Sequence, residues 1–267
     1  MTGLIYKEVR QNRQYLWFVG LFAPLILLLF LLFLLIMAAS SDTSFSDLFS
    51  DMTLTGENGL QLSMIMFYCG LLPFGITGMF SLYLFQQDET KKWGYFTASH
   101  PKGIQGAMYA KYAVIFILSV ITFVSVTLTE EIIYLLEHLI LGAELKDMTS
   151  GQIIYVLLFF LQIFLRMFDI PFIVRFGKKR GESVKVMAVG GIFIGAIIYA
   201  LFGPLPGEDG EFFIQLYDWW EKFKEGAAQD WVYFLLAAFL WITIFGYYFS
   251  YRLSCKLYMK GVEQYDK

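Results

Sequence analysis

The sequence predicts an all-α integral membrane protein of six spans with both termini in the cytoplasm, and three observations carry the prediction. Of 267 residues, 58% are hydrophobic and 16% charged, where soluble domains carry about 25% charged residues. A water-soluble fold of this size cannot hide that much apolar surface. The apolar residues fall in runs near the roughly 20 that a helix needs to cross a hydrocarbon core about 30 Å thick. The basic residues, finally, gather in every second connection. Lipid offers backbone groups no partner and no alternating barrel pattern is present, so the runs are helices.

The chain opens with a weak apolar stripe, Ile5, Val9 and Leu16, opposed by Lys7, Arg10 and Gln14. That pattern predicts a short helix lying along the inner membrane surface. The spans follow at about residues 15–39, 60–85, 108–128, 153–174, 186–203 and 231–251. The first is too long for a cleaved signal peptide, whose apolar core runs about 7–15 residues. With the N-terminus inside, sixteen basic residues lie on the cytoplasmic side, from Lys7, Arg10 and Arg13 to Lys256, Lys260 and Lys267. Only Lys146, Lys222 and Lys224 lie outside, and Arg166 falls within the fourth span. The positive-inside rule fixes this orientation. The net charge of −3 thus hides a dipolar split, which argues against a nucleic-acid partner and for a basic inner rim on anionic lipid.

Several spans depart from plain apolar rods. The second contains Cys69-Gly70-Leu71-Leu72-Pro73-Phe74-Gly75-Ile76-Thr77-Gly78. Pro73 removes a backbone hydrogen bond and the glycines permit bending. This reads either as a packing kink or as a flexible helix lining a path, with Phe74 and Thr77 beside it. The fifth span carries Gly190, Gly191, Gly195 and Tyr199, and its small residues four apart nominate it for an interior or dimer-facing position. Arg166 and Asp169, three apart, share one face of the fourth span. They read as a structural, partly snorkelling pair, with a transport site as the alternative. Residues 211–225 place Phe212, Leu216, Trp219, Trp220 and Phe223 opposite Asp218, Glu221, Lys222 and Glu225, as an interfacial helix does. Residues 130–141 read similarly, or as an outward extension of the third span.

Cys69 and Cys255 are too isolated to imply a bridge, and His100 and His138 make no metal-ligand spacing. No internal repeat divides the chain, which reads as one membrane domain over residues 1–267. The loop after the second span mixes Asp88, Glu89, Lys91 and Lys92 with the rings of Trp93, Tyr95 and Phe96. Exposed rings among charges suit a docking surface. The other reading is a short surface helix held against lipid.

The run LLPFGITGMFSLYLFQQDETKKWGYFTASHPKGIQGAMYAKY resembles the ABC transporter permeases of the type-2 exporter group. Leu72-Pro73, Asp88-Glu89, Trp93, Ser99-His100-Pro101 and Lys111-Tyr112 match that group's order. The stretch from Ile170-Pro171 through Phe176-Gly177 to the basic cluster Lys178-Lys179-Arg180 is similar to the group's end of the fourth span. Within the group, the chain looks most like the permeases of phenol-soluble-modulin exporters of Gram-positive bacteria. The resemblance implies six helices per subunit in a bacterial plasma membrane and a pore of two subunits, a second copy or a paralogue. It also implies a separate cytoplasmic ATPase that holds ATP and magnesium and docks on residues 87–100. Consistently, the chain has no GxxxxGK[ST] loop: Gly177-Lys178 lacks the earlier glycine and the following hydroxyl.

The expected cargo is an amphipathic peptide. The 28 Phe, 17 Tyr and 6 Trp suit apolar peptide faces, and Thr77, Ser81, Tyr199 and Thr243 supply a few hydroxyls. A sugar or ion would need many more polar partners, because unpaired polar burial costs several kcal/mol per group. Two other classes compete. One is a membrane immunity protein that sequesters a toxin peptide. The other is an intramembrane protease built on Glu130-Glu131 and His138, but the arginine and the second His/Asn motif such enzymes need are missing. No GxSxG elbow or HExxH zinc motif is present either.

Overall fold

A computed structural model describes residues 2–40, 44–53, 64–90, 103–141, 149–177, 180–181, 183–188, 190–191, 194–195 and 229–265. Among these residues the fold is entirely helical. The helices are α1 (Thr2–Gln11), α2 (Arg13–Ser40), α3 (Phe45–Thr53), α4 (Met64–Thr90), α5 (Gly103–Leu141), α6 (Thr149–Phe176) and α7 (Gln229–Tyr265). Among the described residues, four stretches are long and apolar enough to cross a membrane: Arg13–Ser40, Gly103–Ile140, Ile154–Phe176 and Phe234–Tyr258. A shorter apolar stretch, Cys69–Phe85, lies in α4. Most of the expected fifth span and all of the amphipathic segment 211–225 lie outside the described residues. The chain divides into two compact units, Met1–Arg166 and Met167–Lys267.

In the first unit α5 is the hub, packing against α1, α2, α3 and α4. Its buried residues recur every three or four positions: Met108, Lys111, Ile115, Leu118, Thr122, Val126, Thr129 and Ile133. That spacing lays one continuous stripe along a helix of 3.6 residues per turn. The helix runs on to Leu141, so of the two readings of residues 130–141 the structure shows the continuation of the third-span helix. Glu130 and Glu131 interrupt the apolar run there without interrupting the backbone hydrogen bonds. α5 starts at Gly103, whose φ of 52° is open to glycine and costly for other residues.

α3 was not foreseen. Ser44 Oγ accepts the Asp47 N–H at 3.2 Å, and Ser44-x-x-Asp47 has the spacing of a capping box. The helix drops Phe49, with no exposed surface, into a cluster with Leu27, Leu34, Cys69 and Ile133.

In the second unit, α6 ends at Gly177, which has a φ of 78° and donates its N–H to Ile173 O at 2.8 Å. This left-handed residue closes the helix, as a terminal glycine does. Gly181 then donates to Gly177 O at 2.7 Å. A Cβ at Gly181 would stand 2.8 Å from Phe172 O, so the chain turns back against the helix it has just left. Among its described side chains, α7 buries a narrow seam of Thr243, Ser250, Ser254 and Tyr258. Gly246 lies on the same side, and a Cβ there would collide with the Met167 sulfur of α6.

Candidate translocation path and coupling end

Pro73, Phe74 and Thr77 are buried residues of α4. Phe74 packs with Ala23, Val126 and Tyr155, and the Thr77 hydroxyl meets that of Thr122 on α5 at 2.7 Å. Two glycines flank this region and do what the sequence could not specify. A Cβ at Gly70 would stand 2.5 Å from the Tyr155 ring, and one at Gly78 would stand 2.7 Å from the Arg166 guanidinium. Each glycine makes room on α4 for a large side chain of α6. Arg166 therefore lies along α4.

The middle of the first unit holds a ladder of buried hydroxyls. Ser119, Thr122 and Thr129 each donate to the carbonyl four residues back on α5, at 3.1, 2.9 and 2.8 Å. Ser125 instead crosses to α2 and donates to Gly20 O at 2.6 Å. Such side chains satisfy themselves inside a membrane helix and can join two helices without carrying charge. Gln162 of α6 is 5% exposed, and neither of its amide atoms has a hydrogen-bond partner among the described residues.

Asp169, also buried, accepts Lys185 Nζ at 2.7 Å. The turn at Gly177 brings this cation from sixteen residues further on. Gly191 and Gly195 are exposed, and a Cβ at either would meet nothing within 4 Å. Tyr199 lies outside the described residues.

At the other end of α4, Asp88 and Glu89 belong to its last turn, because the helix continues to Thr90 instead of stopping near residue 85. Lys91, Lys92, Trp93, Tyr95 and Phe96 lie outside the described residues. Close to this end stands Lys111, which the sequence marked as an inner-rim charge and as part of the Lys111-Tyr112 match. Lys111 is 2% exposed. Its Nζ donates to Leu84 O at 2.7 Å, lies 3.9 Å from Glu8 Oε2 and sits 5.2 Å from the centre of the Phe85 ring.

The pair Glu130-Glu131 gains no catalytic setting. Glu130 accepts the Tyr134 hydroxyl at 3.3 Å within its own helix. His138 lies eight residues on, roughly 12 Å along the axis. Among the described residues, no three His, Cys, Asp or Glu side chains cluster to hold a metal.

No curated protein and no solved structure matches the chain. The model of a family described as ABC-2 family transporter protein matches residues 4–259, nearly the full length. The multi-pass membrane chain therefore belongs to the ABC-2 transporter family and is a permease component of an ABC transporter.

Proposed function

We propose that this permease is the membrane subunit of an exporter that moves amphipathic peptides, driven by a separate ATPase holding ATP and magnesium. The observation that carries the cargo assignment is the chemistry of the buried polar groups. Those along α5 are chiefly hydroxyls already bonded to backbone carbonyls, set among rings such as Phe74, Phe123, Tyr155 and Phe159. A hydrophilic solute needs its hydrogen bonds replaced along the way. A helix with one apolar face needs walls of this kind and few polar partners.

In this reading two permease chains, identical or paralogous, form the pore, with both termini in the cytoplasm of a bacterial cell. Residues 87–100 dock on the ATPase, with Asp88 and Glu89 at the helix end and Trp93 as the anchor. Phenol-soluble modulins fit the cargo class, being short amphipathic helices. The test is ATPase stimulation of the reconstituted complex in lipid nanodiscs. A helical amphipathic peptide should stimulate hydrolysis and a scrambled peptide of equal composition should not. Equal stimulation by both would remove the role of the amphipathic face. For the docking loop, Trp93→Ala with Glu89→Ala should abolish ATPase co-purification, and undiminished recovery with normal transport would remove the loop from the interface.

A further inference from the structure

We propose that Lys111 is a positioning residue that makes the surface helix α1, the loop-proximal end of α4 and the start of α5 move as one body. The inference rests on the docking role proposed for residues 87–100, and adds what the motion there is delivered to.

An ammonium group has three N–H donors and no acceptor. Buried in a membrane protein, it persists only where those donors and the charge are answered. Here the answers come from two other helices. Leu84 O belongs to the last turns of α4, three residues before the docking segment begins, and takes the shortest contact at 2.7 Å. Glu8 on α1 supplies the opposite charge at 3.9 Å. The Phe85 ring covers a further side at 5.2 Å, a favourable place for a cation.

Glu8 is itself held. Its carbonyl accepts both the backbone N–H and the side-chain amide of Asn12, at 3.0 and 2.8 Å, and Asn12 has no exposed surface. Asn12 O in turn accepts the N–H of Tyr15 at 3.0 Å, at the start of α2. α1 is thereby fixed at the end where Glu8 reaches Lys111. Parting α1 from α4 would leave a buried cation with one answer fewer, which is the costly way to break such a site. A displacement of the α4 end is transmitted to α1 through the Lys111 side chain. A neutral side chain of similar length would fill the space without the tie.

The test places spin labels at two exposed positions, Tyr6 on α1 and Met79 on α4, 66% and 62% exposed, after replacing Cys69 and Cys255. Distances are measured by pulsed electron spin resonance in nanodiscs, for the wild-type lysine, Lys111→Met and Lys111→Arg. Without any partner, the wild type and the arginine variant should give one narrow distribution and the methionine variant a broadened one. In the complex trapped with ATP and vanadate, the labels should keep their separation in the wild type and change it in Lys111→Met. Rescue by arginine separates the charge tie from simple filling of space. A distribution for Lys111→Met as narrow as the wild type, at equal yield, overturns the tie. Failure of the wild type to retain any ATPase would overturn the docking reading, while the partner-free measurement still decides the role of Lys111.

Discussion

α5 and α7 are close in length, 39 and 37 residues, and both are apolar enough to span a membrane. In the most apolar stretch of α5 half of the residues are buried, against 11% in that of α7. Their sequences hide this difference, because both read as aromatic-rich runs with scattered hydroxyls. The difference lies in what the hydroxyls do. In α5 they occupy a broad stripe and two of them reach other helices, Thr122 to Thr77 on α4 and Ser125 to Gly20 on α2. In α7 the buried seam is narrow, and Phe245, Tyr248 and Phe249 around it are more than 60% exposed. Lipid is as apolar as leucine, so exposed rings there are no defect. Among the described residues α5 is covered by its own chain, whereas most of the α7 stretch is exposed.

Truncation gives the largest expected contrast. Leu118, with no exposed surface, should lose about 2–5 kcal/mol as Leu118→Ala. Phe249, 69% exposed, should lose within about 0.5 kcal/mol as Phe249→Ala. Thermal unfolding in detergent measures both. A large loss at Phe249 would mean that another chain covers α7.

Glycine replacement sharpens the same contrast. Gly70→Ala pushes a methyl group into the Tyr155 ring and should cost about 1–3 kcal/mol by overpacking. Gly195→Ala meets nothing within 4 Å and should leave the monomer unchanged or slightly stabilised, by up to about 1 kcal/mol. Gly195→Leu should therefore insert normally, so a loss of transport or dimers would locate the second copy there. Normal transport with leucine at both Gly191 and Gly195 would remove this face from the pore.

The smallest effect belongs to the Thr77–Thr122 contact. A double-mutant cycle with valine at each position should give a coupling near ~0.6 kcal/mol, typical of hydrogen bonds between membrane helices. No coupling would mean that the two hydroxyls are served by their own backbone carbonyls alone.

The membrane class was legible because hydropathy follows bilayer thickness, whereas the central place of α5 was not read from its sequence. The run of α5 to Leu141 was legible as one of two readings of residues 130–141, since Glu130 and His138 mark the edge of an apolar run rather than the end of a helix. α3 was readable in the Ser44-x-x-Asp47 cap but lay within a loop between spans. The partners of Lys111 and Asp169 were beyond reach. Both sites depend on where a turn sends the chain, and Lys185 reaches Asp169 only through the left-handed Gly177. The Phe-Gly pair in the sequence thus carried a backbone requirement that its letters did not explain.

The bond from Ser125 to Gly20 O spans 105 residues, which orders events during synthesis. At about 5–20 residues per second, α2 is complete roughly 4 to 17 s before its partner on α5 exists. Until then α2 has no more of its partners than α1, α3 and α4. Its mean hydropathy of 3.1, against 2.2 for the α5 stretch, equips it for that wait. α5, carrying Lys111, Ser125 and Glu130, enters a membrane where the carbonyls and carboxylate that receive it are already in place. The most apolar helix thus precedes into the membrane the hub helix that ties to it.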